Sequence, residues 1–527
     1  MNESIQKKLS RVRPPRVEIT FDVETGGAIE KRELPFIVGI FADLSGDRDP
    51  DQALILPPLK ERKMADIDRD NFNDIMKAIR PRVDLGKVLQ NTPAVAALLA
   101  TPNDRQIVFE NINDFDPMQI LSKLPALKSK YESRSLQSSL ADNSGDVAAV
   151  VDELATHTDE QLSIALTAIL HSPGFRQIEA TWRGLAHLVF NTETNTMLKL
   201  KVFNATQSEL SKDMEQAVEF DRSILFKLVH ETAHGASGSL PYSLLVGGYE
   251  MGAGGADIAF LKKISAVAAA AHAPFIAAAS SDIFGFNKLD KPGDQAAVYD
   301  NAELEAWREF RDLEESRYVA LALPRFMLRL PYGHPAKRSS TPGGEITGYP
   351  KPDKQKFLWG NPAYALAERI TNAFSLYHWP AAIRGEDGGG LVEGLPLYSY
   401  ITASGGSELL SPVSDSANAR MAFTLPCILA ASRFAHYIKV IMRDKIDSFI
   451  TRADVETFLN GWISSYVLLD DNATQSTKAA YPLRSASVVV NDVPGQPGSY
   501  RATLFLKPHF QLEELTTSIR LVVNFPG

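Results

Sequence analysis

Two kinds of apolar pattern alternate along this chain, and together they predict a mixed α/β fold. Leu34–Phe41 (LPFIVGIF) is an unbroken apolar run, as expected of a strand covered on both faces. Phe175, Ile178, Trp182, Leu185 and Val189 recur at helical spacing, which writes an amphipathic helix over 175–190. Leu244–Val246, then Gly247-Gly248, then Ile258, Leu261, Ile264 and Val267 on one face, reads as a strand, a tight turn and a helix beginning near Asp257.

The chain has 527 residues, long enough for several cores, and its composition is that of a folded protein, with 44% hydrophobic and 23% charged residues. Lys and Arg number 55 against 64 Asp and Glu, a net charge of −9. Binding to nucleic acid needs concentrated positive charge, so no nucleic-acid partner is expected. The single cysteine, Cys427, excludes an intramolecular disulfide and any zinc site needing two cysteines of one chain, and fits a reducing compartment. The most apolar stretch noted, Ile264–Ala279, is broken by His272 and Pro274 and falls short of the ~20 residues a bilayer demands. Residues 1–15 are polar, have no apolar centre of the kind a secretory signal carries, and are expected to form a mobile arm.

After the arm, Val17, Ile19, Phe21 and Val23 alternate with polar residues, the signature of a half-buried strand over 16–24. Phe72, Ile75, Met76 and Ile79 predict a helix capped by Asp68 or Asp70. Gln106–Phe109 is a strand candidate, and Pro117 suits the first turn of a helix opened by Asp114-Phe-Asp. These elements suggest a small α/β domain over 16–130. The stretch 131–146 is polar and Ser-rich with no apolar stripe, so a junction is placed at 131–160.

Beyond it, Leu198–Phe203 alternates as a strand, and Phe275–Ala279 and Tyr318–Leu323 are buried-strand candidates. Residues 331–356 are loop-like. Phe434, Tyr437, Ile438, Ile441 and Met442 mark a long helix within 422–449, and a second helix starts near Arg452. Ala502–Lys507 and Thr516–Phe525 close the chain as strands.

The sharpest catalytic pattern is His230-Glu231-Thr-Ala-His234, an H-E-x-x-H string in which two histidines one turn apart could hold zinc while the glutamate acts as base. Ser237 and Leu240 stand where the extended form of that motif needs Gly and His, and Gly235, Gly238 and Pro241 end any helix at once. Coincidence is the preferred reading, and a zinc metallohydrolase the weaker alternative. Gly247–Gly255 sits where a phosphate loop would, but Ala253-Gly254 replaces the Lys-Ser/Thr pair such a loop requires, so it reads as a tight turn. Cys427, His272 and His436 lie in apolar surroundings and read as core residues. No enzyme activity, catalytic residue or cofactor is expected.

Several strings resemble the contractile sheath of the bacterial type VI secretion apparatus. Leu34–Gly46 (LPFIVGIFADLSG), Pro58–Arg62 (PLKER), Asp68–Met76 (DRDNFNDIM) and Asp114–Pro117 (DFDP) are similar to its small subunit, TssB or VipA. Phe175–Leu185 (FRQIEATWRGL), Asn191–Thr194, Ala269–Ile276, Ser316–Tyr318, Leu323–Phe326, Pro331–Gly333, Ile383–Gly385, Val392–Pro396, Ser432–Tyr437 (SRFAHY) and Arg443–Ile446 are similar to its large subunit, TssC or VipB. The strings run in the family's order, and the two subunits are joined in one chain.

The resemblance implies a contractile tail-sheath-like fold: a small α/β domain, a larger α/β sheath domain over 161–420 and a core region over 421–527. It implies a structural protomer that polymerises with itself around an Hcp-like inner tube, docked on a membrane-anchored baseplate in the bacterial cytoplasm without inserting in the membrane. The sheath of a related contractile injection particle is the alternative. A ClpV-type AAA+ unfoldase is the expected recycling partner. The family shares strands between neighbours, which makes Val17, Ile19, Phe21, Val23, Leu504, Leu506, Ile519 and Val522 the candidate inter-protomer strand residues. Lys439, Arg443 and Lys445 are the candidate tube-facing charges.

Overall fold

A computed structural model describes residues 17–25, 28–47, 57–99, 105–141, 148–217, 219–231, 240–252, 254–280, 305–311, 313–332, 357–380, 399–402, 425–445, 451–470, 473, 475–493, 500–509 and 519–525. The arm at 1–15 and the loop-like segment from 333 to 356 lie outside them.

The unbroken apolar run forms β3 (Phe36–Ala42), the seam of the molecule; β1 (Phe21–Thr25) and β2 (Ala28–Arg32) pair ahead of it as an antiparallel hairpin. β3 is followed by β4 (Ala65–Ile67), β5 (Arg82–Asp84), β6 (Gln106–Val108), β7 (Leu198–Asn204), β8 (Leu244–Met251), β9 (Phe275–Ala279), β10 (Val319–Leu323), β11 (Phe326–Arg329), β12 (Leu358–Gly360) and β13 (Ser399–Thr402). Seven of these make one sheet in the order β13-β10-β9-β8-β3-β7-β4. The inner strands run parallel, and β4 and β13 close the edges antiparallel.

This order corrects the expectation of a separate small domain. β3 comes from the first 45 residues yet lies between β7 and β8, in register Phe36↔Leu198 and Val38↔Leu244. Alternating side chains explain why it fits: Phe36, Val38, Ile40 and Ala42 face one core, Ile37 and Phe41 the other. A strand covered on both faces needs helices above and below it, and the later chain supplies most of them.

Those helices are α1 (Phe72–Ile79), α2 (Pro117–Lys123), α3 (Pro125–Ala141), α4 (Ala148–Leu170), α5 (Pro173–Phe190), α6 (Gln207–Gln216), α7 (Gly255–Ala271), α8 (Pro362–Tyr377), α9 (Leu425–Lys445) and α10 (Arg452–Ser464). Phe72 of α1, Ile169 of α4, Trp182 of α5 and Ile370 of α8 fill the core on one face. Ile264 of α7, Phe434 of α9 and Leu459 of α10 fill the core on the other. Asn71 occupies the N-cap position of α1 without a side-chain capping bond, whereas Asp68 turns the preceding loop by accepting from the backbone of Asp70 and Asn71, each at 2.9 Å. The proposed junction is not an extended linker: α3 and α4 pack on one another, so the polar sequence at 131–141 is helical.

β14 (Leu483–Asp492), β15 (Tyr500–Pro508) and β16 (Ile519–Phe525) form a separate antiparallel sheet in that order. β14 escaped the sequence reading because LRSASVVVND carries only a short apolar centre. Among the described residues, Leu425–Arg443 is long and apolar enough to cross a membrane, but 94% of it is buried inside the protein, as in a core helix.

Candidate functional site

The candidate assembly residues fall into two groups, and each is anchored within the chain. Val17, Ile19 and Phe21 are buried while Glu18 and Asp22 are exposed, so the alternation is real. Their apolar face is spent on this molecule's own α9 and α10. The Val17 N–H donates to Tyr377 O at 2.8 Å, Trp462 Nε1 donates to Thr20 O at 3.0 Å, and the Phe21 ring meets Tyr437 edge-on at 6.1 Å. The side chains of Val17, Ile19 and Phe21 are therefore not free to enter a neighbour's pockets. Leu504 and Leu506 are also fully buried in the chain's own core. Val23, Ile519 and Val522 lie in β1 and β16, and their side chains are outside the described residues.

The two outer edges of the terminal sheet differ. Along β14, α10 covers the backbone with side chains. Asn460 Oδ1 accepts from Val488 N at 2.9 Å and its Nδ2 donates to Val488 O at 2.7 Å. Glu456 Oε2 accepts from Val490 N at 2.9 Å, and Arg452 donates to Val490 O at 3.1 Å. A strand cannot add to an edge whose N–H and C=O groups are already bonded. β16, the opposite edge, has β15 as its one strand neighbour among the described residues.

Of the tube-facing candidates, Lys439 is corrected. It is buried, and its ammonium donates to Ala270 O at 2.8 Å, near the C-terminal end of α7 where unpaired carbonyls collect. Burial pushes its pKa down to about 7. Lys439 follows His436 by three residues on the inward face, which the sequence pattern alone did not separate from the polar face. Arg443 is half-buried at the end of α9; the side chain of Lys445 is outside the described residues.

His230 lies in a short π-helical turn, Lys227–Glu231, with its ring stacked on Phe226 at 4.7 Å. Burial, and then the charge of Lys439, lowers its pKa to about 4. His234 and the side chain of Glu231 are outside the described residues. Among the described residues no three His, Cys, Asp or Glu side chains group as metal ligands. The glycine segment behaves as backbone packing. β8 runs on through Gly247-Gly248 to Met251, past the expected turn, and a Cβ on Gly247 would lie 2.5 Å from Phe275 Cζ, so the glycine makes room for that ring. Asp257 then ties the turn, accepting from Gly252 N at 2.8 Å.

The strings singled out in the sequence meet each other in space. Trp182 Nε1 donates to Leu44 O at 3.1 Å, joining α5 to the end of β3. Arg62 grips Glu209 with two nitrogens, at 2.8 and 3.2 Å, and donates to Asn204 O. Arg433 of α9 donates to Pro35 O at 3.0 Å and to Leu34 O, while Tyr437 Oη accepts from Leu34 N at 2.8 Å. Sequence reasoning missed Glu179. Its signal was present: a carboxylate between Ile178 and Trp182, on the apolar side of α5.

Three family models match this chain. "Type VI secretion system, VipA, VC_A0107 or Hcp2" covers residues 9–167, "EvpB/VC_A0108, tail sheath N-terminal domain" covers 152–424, and "EvpB/VC_A0108, tail sheath gpW/gp25-like domain" covers 414–525. The first two overlap within α4. The chain is 36% identical over 457 residues to the type VI secretion system sheath protein TssC1 of Pseudomonas aeruginosa, covering 76% of this chain and 91% of that protein. It is 39% identical over 133 residues to the sheath protein TssB1 of the same organism, covering 25% of this chain and 71% of that protein. The chain therefore belongs to the type VI secretion sheath family, as a structural component that carries the TssB-like and TssC-like regions in one polypeptide.

Proposed function

We propose that this chain is the repeating protomer of a contractile sheath, polymerising around an inner tube of Hcp type and contracting to drive that tube outward. It would sit in the bacterial cytoplasm on a membrane-anchored baseplate and be recycled by a ClpV-type unfoldase. Work of this kind comes from a change of packing between protomers, with no covalent chemistry. Arg443 and Lys445, at the end of α9, are the charges we assign to the tube-facing surface.

The observation that carries this reading is the asymmetry of the terminal sheet. β14 is covered by α10, whereas β16 has β15 as its one strand neighbour among the described residues, which supports an exchange through the other edge of β16. With the apolar faces of the 17–21 segment and of β15 committed at home, the exchange runs through backbone edges: β16, with the β1–β2 hairpin as its counterpart. At ~0.5–1.5 kcal/mol net per hydrogen bond, a six-bond addition contributes roughly 3–9 kcal/mol per junction, enough to tether rigid cores while they rotate.

Negative-stain microscopy of the expressed chain tests the sheath. Long hollow tubes are expected; monodisperse particles under every assembly condition would overturn it. The tether has its own test, since the native Cys427 is buried and leaves a quiet background. Thr25→Cys with Asn524→Cys should give covalent ladders on a non-reducing gel after tubes are oxidised. A purely monomeric band would reject the strand exchange.

A further inference from the structure

The β1–β2 hairpin leaves the body between two side-chain clamps. Its base is the pair Phe21↔Arg32. Immediately before that pair, both backbone groups of Thr20 are held: Tyr466 Oη accepts from Thr20 N at 3.0 Å, and Trp462 Nε1 donates to Thr20 O at 3.0 Å. Shortly after it, both backbone groups of Leu34 are held: Tyr437 Oη accepts from the N–H at 2.8 Å, and Arg433 donates to the carbonyl. Burial changes at the same places. Phe21 and Leu34 are buried, while Asp22, Lys31 and Arg32 are exposed. Beyond the clamps the hairpin is a two-stranded sheet of its own, with no further strand partner among the described residues.

The exit clamp is the tighter one. Pro35 has no N–H, so Leu34-Pro35 offers three backbone hydrogen-bonding groups, and all three are taken: Arg433 also donates to Pro35 O at 3.0 Å. The Arg433 side chain is buried, and its guanidinium lies over the rings of Phe374 and Tyr437, at 5.2 and 5.1 Å. No carboxylate pairs with it among the described residues; nearby Glu33 meets His378 instead, at 3.2 Å. Stability alone does not call for a buried guanidinium, since a well-packed apolar side chain often serves as well. What the guanidinium adds is direction. Its planar fork grips two successive carbonyls at once, which a lysine or an apolar residue cannot do. Those carbonyls carry the chain from the hairpin into β3, itself paired on both sides.

We propose that Arg433 and Tyr437 are positioning residues for strand exchange: they fix the direction in which the β1–β2 hairpin leaves the body and so hold its edges ready for β16 of a second copy. This rests on the exchange proposed above and names the groups that orient it. An edge held in one direction loses less freedom on pairing than one that swings, so the clamp strengthens the junction without adding a contact to it.

The test uses dispersed full-length chains, so it does not depend on tubes. Spin labels on Thr25→Cys in the hairpin and on Gly461→Cys in α10, where an added Cβ meets nothing within 4 Å, report the hairpin's direction by pulsed dipolar spectroscopy; the native Cys427 is buried. The parent should give one narrow distance distribution. Tyr437→Phe and Arg433→Met should each widen it roughly twofold or more, because the hairpin then samples several directions. Arg433→Lys should fall between them and the parent. Tyr437→Phe keeps the ring against Phe21, and its circular dichroism melt should stay within a few degrees of the parent's. In tubes, the cross-link between Thr25→Cys and Asn524→Cys should form more slowly in both variants. A parent distribution that is already broad, or widths unchanged in both variants, would overturn the positioning role even where ladders form. So would widening confined to chains that have lost the parent's cooperative melt, since that is unfolding. A parent that gives no ladder at all would reject the exchange itself, whatever the distances show.

Discussion

Glu179 is fully enclosed, and its two carboxylate oxygens take both arms of the Arg329 guanidinium, at 2.8 and 3.0 Å. Arg183 donates to the same carboxylate at 2.8 Å and reaches toward Asp116 at 3.4 Å, while Arg329 stacks over Tyr332 at 4.2 Å. One carboxylate thus fixes α5, β11 and the DFDP string together. Glu179→Ala leaves Arg329 buried without its counter-charge and should cost about 3–5 kcal/mol of stability in urea unfolding. Glu179→Leu with Arg329→Met should cost clearly less, because the charge and its partner leave together.

Asn460 both donates to and accepts from Val488, so it stands in for a strand. Asn460→Leu keeps the bulk but frees one N–H and one C=O. It should cost about 1–3 kcal/mol. It also opens the β14 edge, and light scattering should report aggregates that the parent does not form.

Gly247→Val should disturb the sheet at its centre. The nearest atom to a Cβ there belongs to the Phe275 ring, itself 1% exposed and packed on Phe260. Overpacking of this kind costs about 1–3 kcal/mol, read as a lower midpoint in chemical denaturation. Gly461, where an added Cβ meets nothing within 4 Å, supplies the control: Gly461→Ala should be neutral or slightly stabilising.

Acid and alkali should act on the buried ionisable groups around α9 in a defined order. Burial lowers His436 to about 3 and His230 to about 4, so both are neutral in the folded chain down to acid pH. The unfolded chain protonates them near pH 6.5, and stability is lost as pH falls from there toward 4. Lys439, lowered to about 7, has the same sign at higher pH. The unfolded lysine holds its proton to about pH 10.4, so stability should rise from pH 7 toward 10. Lys439→Met should flatten that rise in thermal melts; a slope equal to the parent's would contradict the buried position.

Deleting residues 1–24 should destabilise the core as well as any assembly. It strips Val17, Ile19 and Phe21 from α9 and α10 and leaves Trp462 Nε1 without its acceptor. Circular dichroism melts of the truncated chain should show a lower midpoint. An unchanged midpoint would mean that this segment is not part of the folded unit.

Local pattern made the elements legible. The period of α5, the unbroken run of β3 and the Pro117 helix start were all written in a few adjacent residues. Partnership across the chain was not. Nothing in LPFIVGIF says that its neighbours are Leu198 and Leu244, because an apolar strand fits any apolar sheet of the right width. The α10 clamp was hidden for a related reason: Asn460 looks like a surface residue until the strand it serves is known. Lys439 failed the other way, since a charged side chain on a long helix reads as solvated unless a carbonyl is waiting for it.

The placement of β3 has a consequence for how the molecule is made. Its hydrogen-bonded neighbours leave the ribosome some 160 to 206 residues later, as the Ser243–Ile37 and Asn204–Leu44 contacts show, so the central sheet cannot close until well over 200 residues have been synthesised, and folding of this region is intrinsically slow. Covalent continuity answers the other half of that difficulty. The seam strand cannot diffuse away from its partners, it pairs at an effective concentration set by the tether and not by expression level, and the two regions are always present one to one.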